Sequence, residues 1–139
     1  MELGQFYRLL QDDITSLVVS THDGDQLASR IMNVWLADES GIYLTSSPDS
    51  EVSQQLKDNS EVALTGFIMQ PEKVVVARVL GQAETLTREE LQAAFSNSSF
   101  VDESILDNEI NQGRIGFVIR SGKADYLDMV QGTKESWKF

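Results

Sequence analysis

The chain opens with Leu3, Phe6, Tyr7 and Leu10 at helical intervals, so the segment from Glu2 to Asp12 predicts an amphipathic helix. From Ser16 the period shortens. The stretch "SLVVSTHDGDQLASRIMNVWLADESGIYLTSS" holds three apolar runs separated by "HDGD" and "ADESG", both turn sequences, and predicts a three-stranded meander. In "HDGD", Gly24 is suited to a positive φ, and His22 reads as part of a solvated hairpin turn. A short helix is expected from Glu51 to Lys57, ended by Asn59 and Ser60.

"EVALTGFIMQ" and "KVVVARVLGQAETL" predict two further strands joined at Pro71, with Gly66 and Gly81 as bulge or close-approach positions. Thr87 stands three residues before Glu90, the capping-box spacing, and predicts a helix from Arg88 to Phe95. The polar stretch "SNSSFVDESILDNEINQG" shows the least order in its pattern. "RIGFVIRSGKADYLDMV" then predicts two strands around "SGK". Six or seven short strands joined mostly by tight turns make an antiparallel sheet that closes or nearly closes. The expected class is mainly β, a β-barrel with peripheral helices, in a single domain spanning residues 1–139.

Composition removes several chemistries. Cysteine is absent and His22 is the only histidine, which leaves no thiolate or multi-histidine metal site in one chain. Lys and Arg number 11 against 22 Asp and Glu, a net charge of −11. Such a surface disfavours nucleic acid and anionic membranes, which are bound mainly through basic patches. The apolar runs fall far short of the roughly 18 residues of a membrane span, and "MELGQFYRLLQDD" has no leader character, so a cytoplasmic protein is expected. The pairs Asp12–Asp13, Glu89–Glu90 and Asp102–Glu103 lack the spacing of a cation loop and read as solvated surface, so no metal site is expected. No Gly-rich dinucleotide fingerprint or P-loop occurs.

One stretch raises a chemical question. "YLTSSPDSEVSQQL" reads as a strand end, a Ser-rich turn and a helix start. Free N–H groups and the dipole at a helix N-terminus favour an anion, so this turn is either a phosphate pocket or a helix that has capped itself.

The stretches "GDQLASRIMNVW", "GIYLTSSPDSEVSQQLKDNSEVALTGF" and "VARVLGQAETL", with the tail "YLDMVQGTKESWKF", resemble the pyridoxamine 5′-phosphate oxidase-like FMN-binding split β-barrels, in particular the short general-stress-protein branch. The resemblance implies an antiparallel split barrel and a homodimer, with a flavin or other small molecule held at the dimer interface. Its Arg-x-Met-like flavin strand corresponds to Arg30, Ile31, Met32 and Asn33. Thr45, Ser46 and Ser47 match its strand end and Ser50 its helix start. Gln70 falls in a region that approaches the flavin ring in the family, and Trp137 corresponds to tail aromatics that pack on the partner's flavin or in the core. Trp35 reads as core or interface.

The match breaks at the phosphate. Where the family carries a Lys or an Arg-Lys pair, this chain has Glu51 and Val52, and Lys57 lies about two turns further on. A carboxylate in the first turn gains roughly 0.3–1 kcal/mol from the helix dipole and competes with phosphate for the same N–H groups. Losing one charge-assisted hydrogen bond costs about 1.5–3 kcal/mol, so with the added repulsion FMN affinity is expected to fall by roughly a hundredfold or more.

Three functions follow from the resemblance. The first is an FMN-dependent oxidoreductase of unassigned substrate, in which no side chain stands out as a catalytic acid or base. The second is flavin binding or storage without a dedicated substrate. The third is a homodimeric split barrel that has lost flavin and serves as a non-enzymatic, stress-related or interaction module. Oxidation of pyridoxamine phosphate itself is not expected, because no C-terminal Arg-rich element is present.

Overall fold

The computed structural model describes residues 1–98 and 113–139, arranged around one eight-stranded sheet in which every pairing is antiparallel. Most of the polar stretch before Arg114, with the Asp102–Glu103 pair, lies outside the described residues. Helix α1 (Leu3–Arg8) runs directly into a π-helical segment (Leu9–Ile14), and together they bury Phe6 and Leu10 completely.

Strands β1 (Ser16–Asp23) and β2 (Gln26–Asn33) form a hairpin whose turn places Gly24 at φ +63°, as the sequence predicts. The stretch predicted as a three-stranded meander holds four strands, because β3 (Leu36–Asp38) and β4 (Gly41–Ser46) are separate. Nor is it a meander. All six residues of β4 are buried, so it needs a neighbour on each side, and it pairs with β3 and with β7 rather than β2.

Helix α2 (Glu51–Asp58) leads into β5 (Glu61–Gln70), and a turn at Pro71 and Glu72 returns the chain as β6 (Lys73–Leu86). Helix α3 (Arg88–Ser96) begins at the Thr87–Glu90 capping box. The expected turn at "SGK" is absent: β7 (Ile115–Asp128) runs through it as one strand of 14 residues, followed by β8 (Thr133–Lys138). The glycines serve proximity instead. Gly122 lies opposite Gly81, and a Cβ on Gly122 would come within 2.1 Å of the Leu80 carbonyl oxygen. The register shifts between Gly81 and Ala83, and β7 there changes its second partner from β4 to β8. Gly66 is a close-approach position too, since a Cβ would meet Ile14 and Leu17 at 2.5 and 2.6 Å.

The sheet runs in the order β2-β1-β5-β6-β7-β4-β3, with β8 added to β7. Among the described residues β2 pairs with β1 alone, so its other edge faces β4 across a gap that no ladder closes. That gap is the split in the barrel. The main core packs α1 and the π-helical segment against the inner sheet face, with Trp137 resting on Phe6 at 5.3 Å between ring centroids. A second cluster under α3 includes Trp35, stacked on Phe95, which makes Trp35 a packing residue. The outer face of β2, β1, β5 and β6 is apolar yet open, with Leu27, Ile31, Phe67, Met69 and Leu80 each more than half exposed.

Candidate functional site

A cavity of about 420 Å³ occupies the gap between β2 and β4. Strand β2 supplies Arg30, Ile31, Met32 and Asn33, the end of β4 supplies Thr45 and Ser46, and Val52, Trp35 and Arg114 complete the lining. Along β2 the alternation of side chains decides the roles. Arg30 lies opposite Val19 and Met32 opposite Leu17, both core residues, so these two side chains turn inward. Ile31 lies opposite Val18, turns outward and is 72% exposed at the rim.

Arg30 is held by the core. Its Nη1 donates to the Val19 carbonyl at 3.2 Å and to Thr21 Oγ1 at 2.7 Å, and its Nη2 donates to Gln55 Oε1. Thr21 and Gln55 are buried and bond to each other at 2.7 Å, so the guanidinium ties β1, β2 and α2 together. Burial draws the Arg30 pKa down from its ordinary value, while the carboxylates of Glu51 and Asp23 push it up.

The Ser-rich turn satisfies itself. Ser50 caps α2 by accepting the Ser53 N–H at 3.2 Å, and its hydroxyl also meets those of Ser46 and Ser53 at 2.6 and 2.9 Å. The Ser53 hydroxyl in turn donates to the Ser47 carbonyl at 2.7 Å. The question posed by this sequence thus resolves toward self-capping: the hydroxyls of Ser46, Ser50 and Ser53 bond within the turn, and Glu51 supplies the negative charge at the helix start.

No protein-family model matches the chain, and no curated protein matches it. Solved structures do. A NimC/NimA family protein from Clostridium acetobutylicum is 14% identical with a TM-score of 0.73, covering 100% of this chain and 95% of that one. A protein from the same organism related to general stress protein 26, of the pyridoxinephosphate oxidase family, is 12% identical with a TM-score of 0.64, covering 99% and 94%. The chain has the pyridoxamine 5′-phosphate oxidase-like split β-barrel fold. A heme binding protein from Mycobacterium smegmatis shares the split barrel at 14% identity and a TM-score of 0.74, covering 99% of this chain and 58% of that one.

Within this split barrel, six of the residues singled out from the sequence line one cavity: Arg30, Ile31, Met32, Asn33, Thr45 and Ser46. Ser47 and Ser50 stand behind it in the capped turn. Gln70 and Trp137 do not line it: Gln70 ends β5 opposite Lys73 at an exposed hairpin, and Trp137 packs on Phe6. His22 is not in a turn but inside β1, 2.8 Å from Glu61, beside a separate outer-face cavity lined by Leu27 and Leu80. Among the described residues no cluster of His, Cys, Asp and Glu could hold a metal ion, and no helix is long and apolar enough to cross a membrane.

The sequence reading missed Arg114. Its Nε donates to Thr45 Oγ1 at 3.1 Å and its Nη2 to the Thr45 carbonyl at 3.3 Å, across 69 residues of chain. Only the β4–β7 ladder, which sets Ser46 opposite Ile115, brings the two together. A cation just before "IGFVI" was the one local sign.

Proposed function

We propose that the chain is a homodimeric FMN-binding protein, acting as a flavin-dependent oxidoreductase in the cytoplasm, with the flavin seated in the gap between β2 and β4. The observation that carries this reading is the single cavity that joins the Arg30–Asn33 strand to the Thr45–Ser46 strand end. Its volume lies within the range of about 300–1,000 Å³ usual for small-molecule sites, and its lining mixes apolar side chains with N–H and O–H donors. The donor set fits a flavin phosphate ester: the main chain of β2 and Asn33 would meet the polar ring edge, and Met32 and Val52 its apolar surface. Bound there, the flavin would supply hydride or electron transfer, while the protein orients it and sets the surrounding charge. The open outer face supports the homodimer, because exposed apolar patches of this kind mark association surfaces.

An FMN titration of the purified protein, followed by flavin fluorescence and the visible spectrum, tests the reading. Micromolar binding is the expected result. Sedimentation should give a dimer that Phe67→Asp converts to monomer; a wild-type monomer would remove the shared site. The second reading is the flavin-free module, favoured by Glu51 and the self-capped α2. Absence of FMN binding would select it, and haemin in a parallel titration separates both from a haem carrier.

A further inference from the structure

We propose that Arg114 fixes the anionic group of the ligand, a phosphate monoester, in place of the base missing from the first turn of α2. The inference rests on the flavin reading and deepens it. An anion approaching this chain meets an overall charge of −11, so local cations must hold it. Two guanidinium groups line the cavity, and their hydrogen bonds differ in a decisive way.

Arg30 spends its terminal Nη1–Nη2 edge on Val19, Thr21 and Gln55 and has Glu51 and Asp23 as electrostatic neighbours. Arg114 spends the opposite edge. Its Nε and Nη2 grip the hydroxyl and carbonyl of Thr45, which leaves both Nη1 hydrogens and one on Nη2 without a partner among the described residues. That terminal edge is the one that meets phosphate oxygens in a bidentate pair, and it is already oriented by Thr45. The helix end is the poorer site for an anion, because Ser50 occupies the N–H of Ser53 and the Glu51 carboxylate repels negative charge. Thr45 is 4% exposed and belongs to a fully buried strand, so the guanidinium is mounted on a rigid support.

The test compares FMN with riboflavin, which carries the same ring and no phosphate. Wild type is expected to bind FMN about 10- to 100-fold more tightly than riboflavin, the worth of one or two charge-assisted hydrogen bonds. Arg114→Gln should lower FMN affinity to the riboflavin level while riboflavin binding stays put. Arg114→Lys should retain part of the preference, since it keeps the charge but loses the planar fork, and Thr45→Val should lose part of it by removing the acceptor of Nε while the backbone carbonyl still holds Nη2. Far-UV circular dichroism confirms that each variant is folded, and the Lys and Val variants decide the matter if the Gln variant is not. Equal wild-type affinity for the two flavins, or an undiminished FMN preference in folded Arg114→Gln, overturns the inference and leaves the flavin reading standing. Failure of both flavins to bind overturns the two together.

Discussion

Arg30 and Arg114 share one cavity and carry the same charge, yet the fold uses them differently. Arg30 turns inward from β2 and spends its terminal edge on three partners from one strand and a helix. Arg114 stands just ahead of β7, holds a single residue by its side edge and keeps its terminal edge open. A guanidinium whose hydrogens are taken by buried acceptors is part of the scaffold first, because removing it strands those acceptors. One whose outer hydrogens have no partner among the described residues is available to a ligand. Counting occupied edges therefore separates structural from binding arginines within one site, where residue type and position on the cavity do not.

The strongest way to break this contrast is Arg30→Ala. It removes three hydrogen bonds at the meeting of β1, β2 and α2, and the expected loss is about 2–4 kcal/mol in chemical denaturation, with FMN binding abolished. Arg114→Gln, by contrast, should stay within about 1 kcal/mol of wild type. Equal destabilisation by the two would erase the distinction between scaffold and ligand arginine. A smaller effect is expected from Gln55→Leu, which removes the acceptor shared by Thr21 and Arg30 and should cost about 1–3 kcal/mol. The ratio of FMN to riboflavin affinity should survive that change, since Arg114 and Thr45 are untouched; a collapsed ratio would place phosphate recognition on the Arg30 side.

The same contrast marks what could be read from sequence. Helix starts at Ser50 and Thr87 were legible because a cap is a relation between residues three apart, as was the turn at Gly24. The strand carrying Arg30 was legible through its resemblance to a known flavin strand. Gly122 misled because a glycine permits both a turn and a close crossing, and only its register opposite Gly81 distinguishes them. Strand β4 was assigned to the wrong neighbour because its partner lies some 70 residues on, beyond any local pattern. Arg114 was missed for the same reason: its role exists only once β4 and β7 are paired.

The finest adjustment of the comparison is Glu51→Lys. The wild-type carboxylate sits in the first turn of α2, where the dipole favours it by about 0.3–1 kcal/mol, and it attracts Arg30 from outside the core. Replacing it with a cation should therefore weaken α2 slightly, by up to about 1 kcal/mol, while removing the one acidic side chain set against an anion at this turn. FMN affinity should rise by roughly three- to tenfold at low ionic strength, and the gain should shrink in high salt because an exposed charge acts through solvent. Riboflavin affinity should not move. If Arg114 already fixes the phosphate, Glu51→Lys must still add to it, and Glu51→Lys combined with Arg114→Gln should recover only part of the lost affinity. Full recovery in that double variant would show that any cation near the turn suffices and that the Thr45-held geometry contributes nothing.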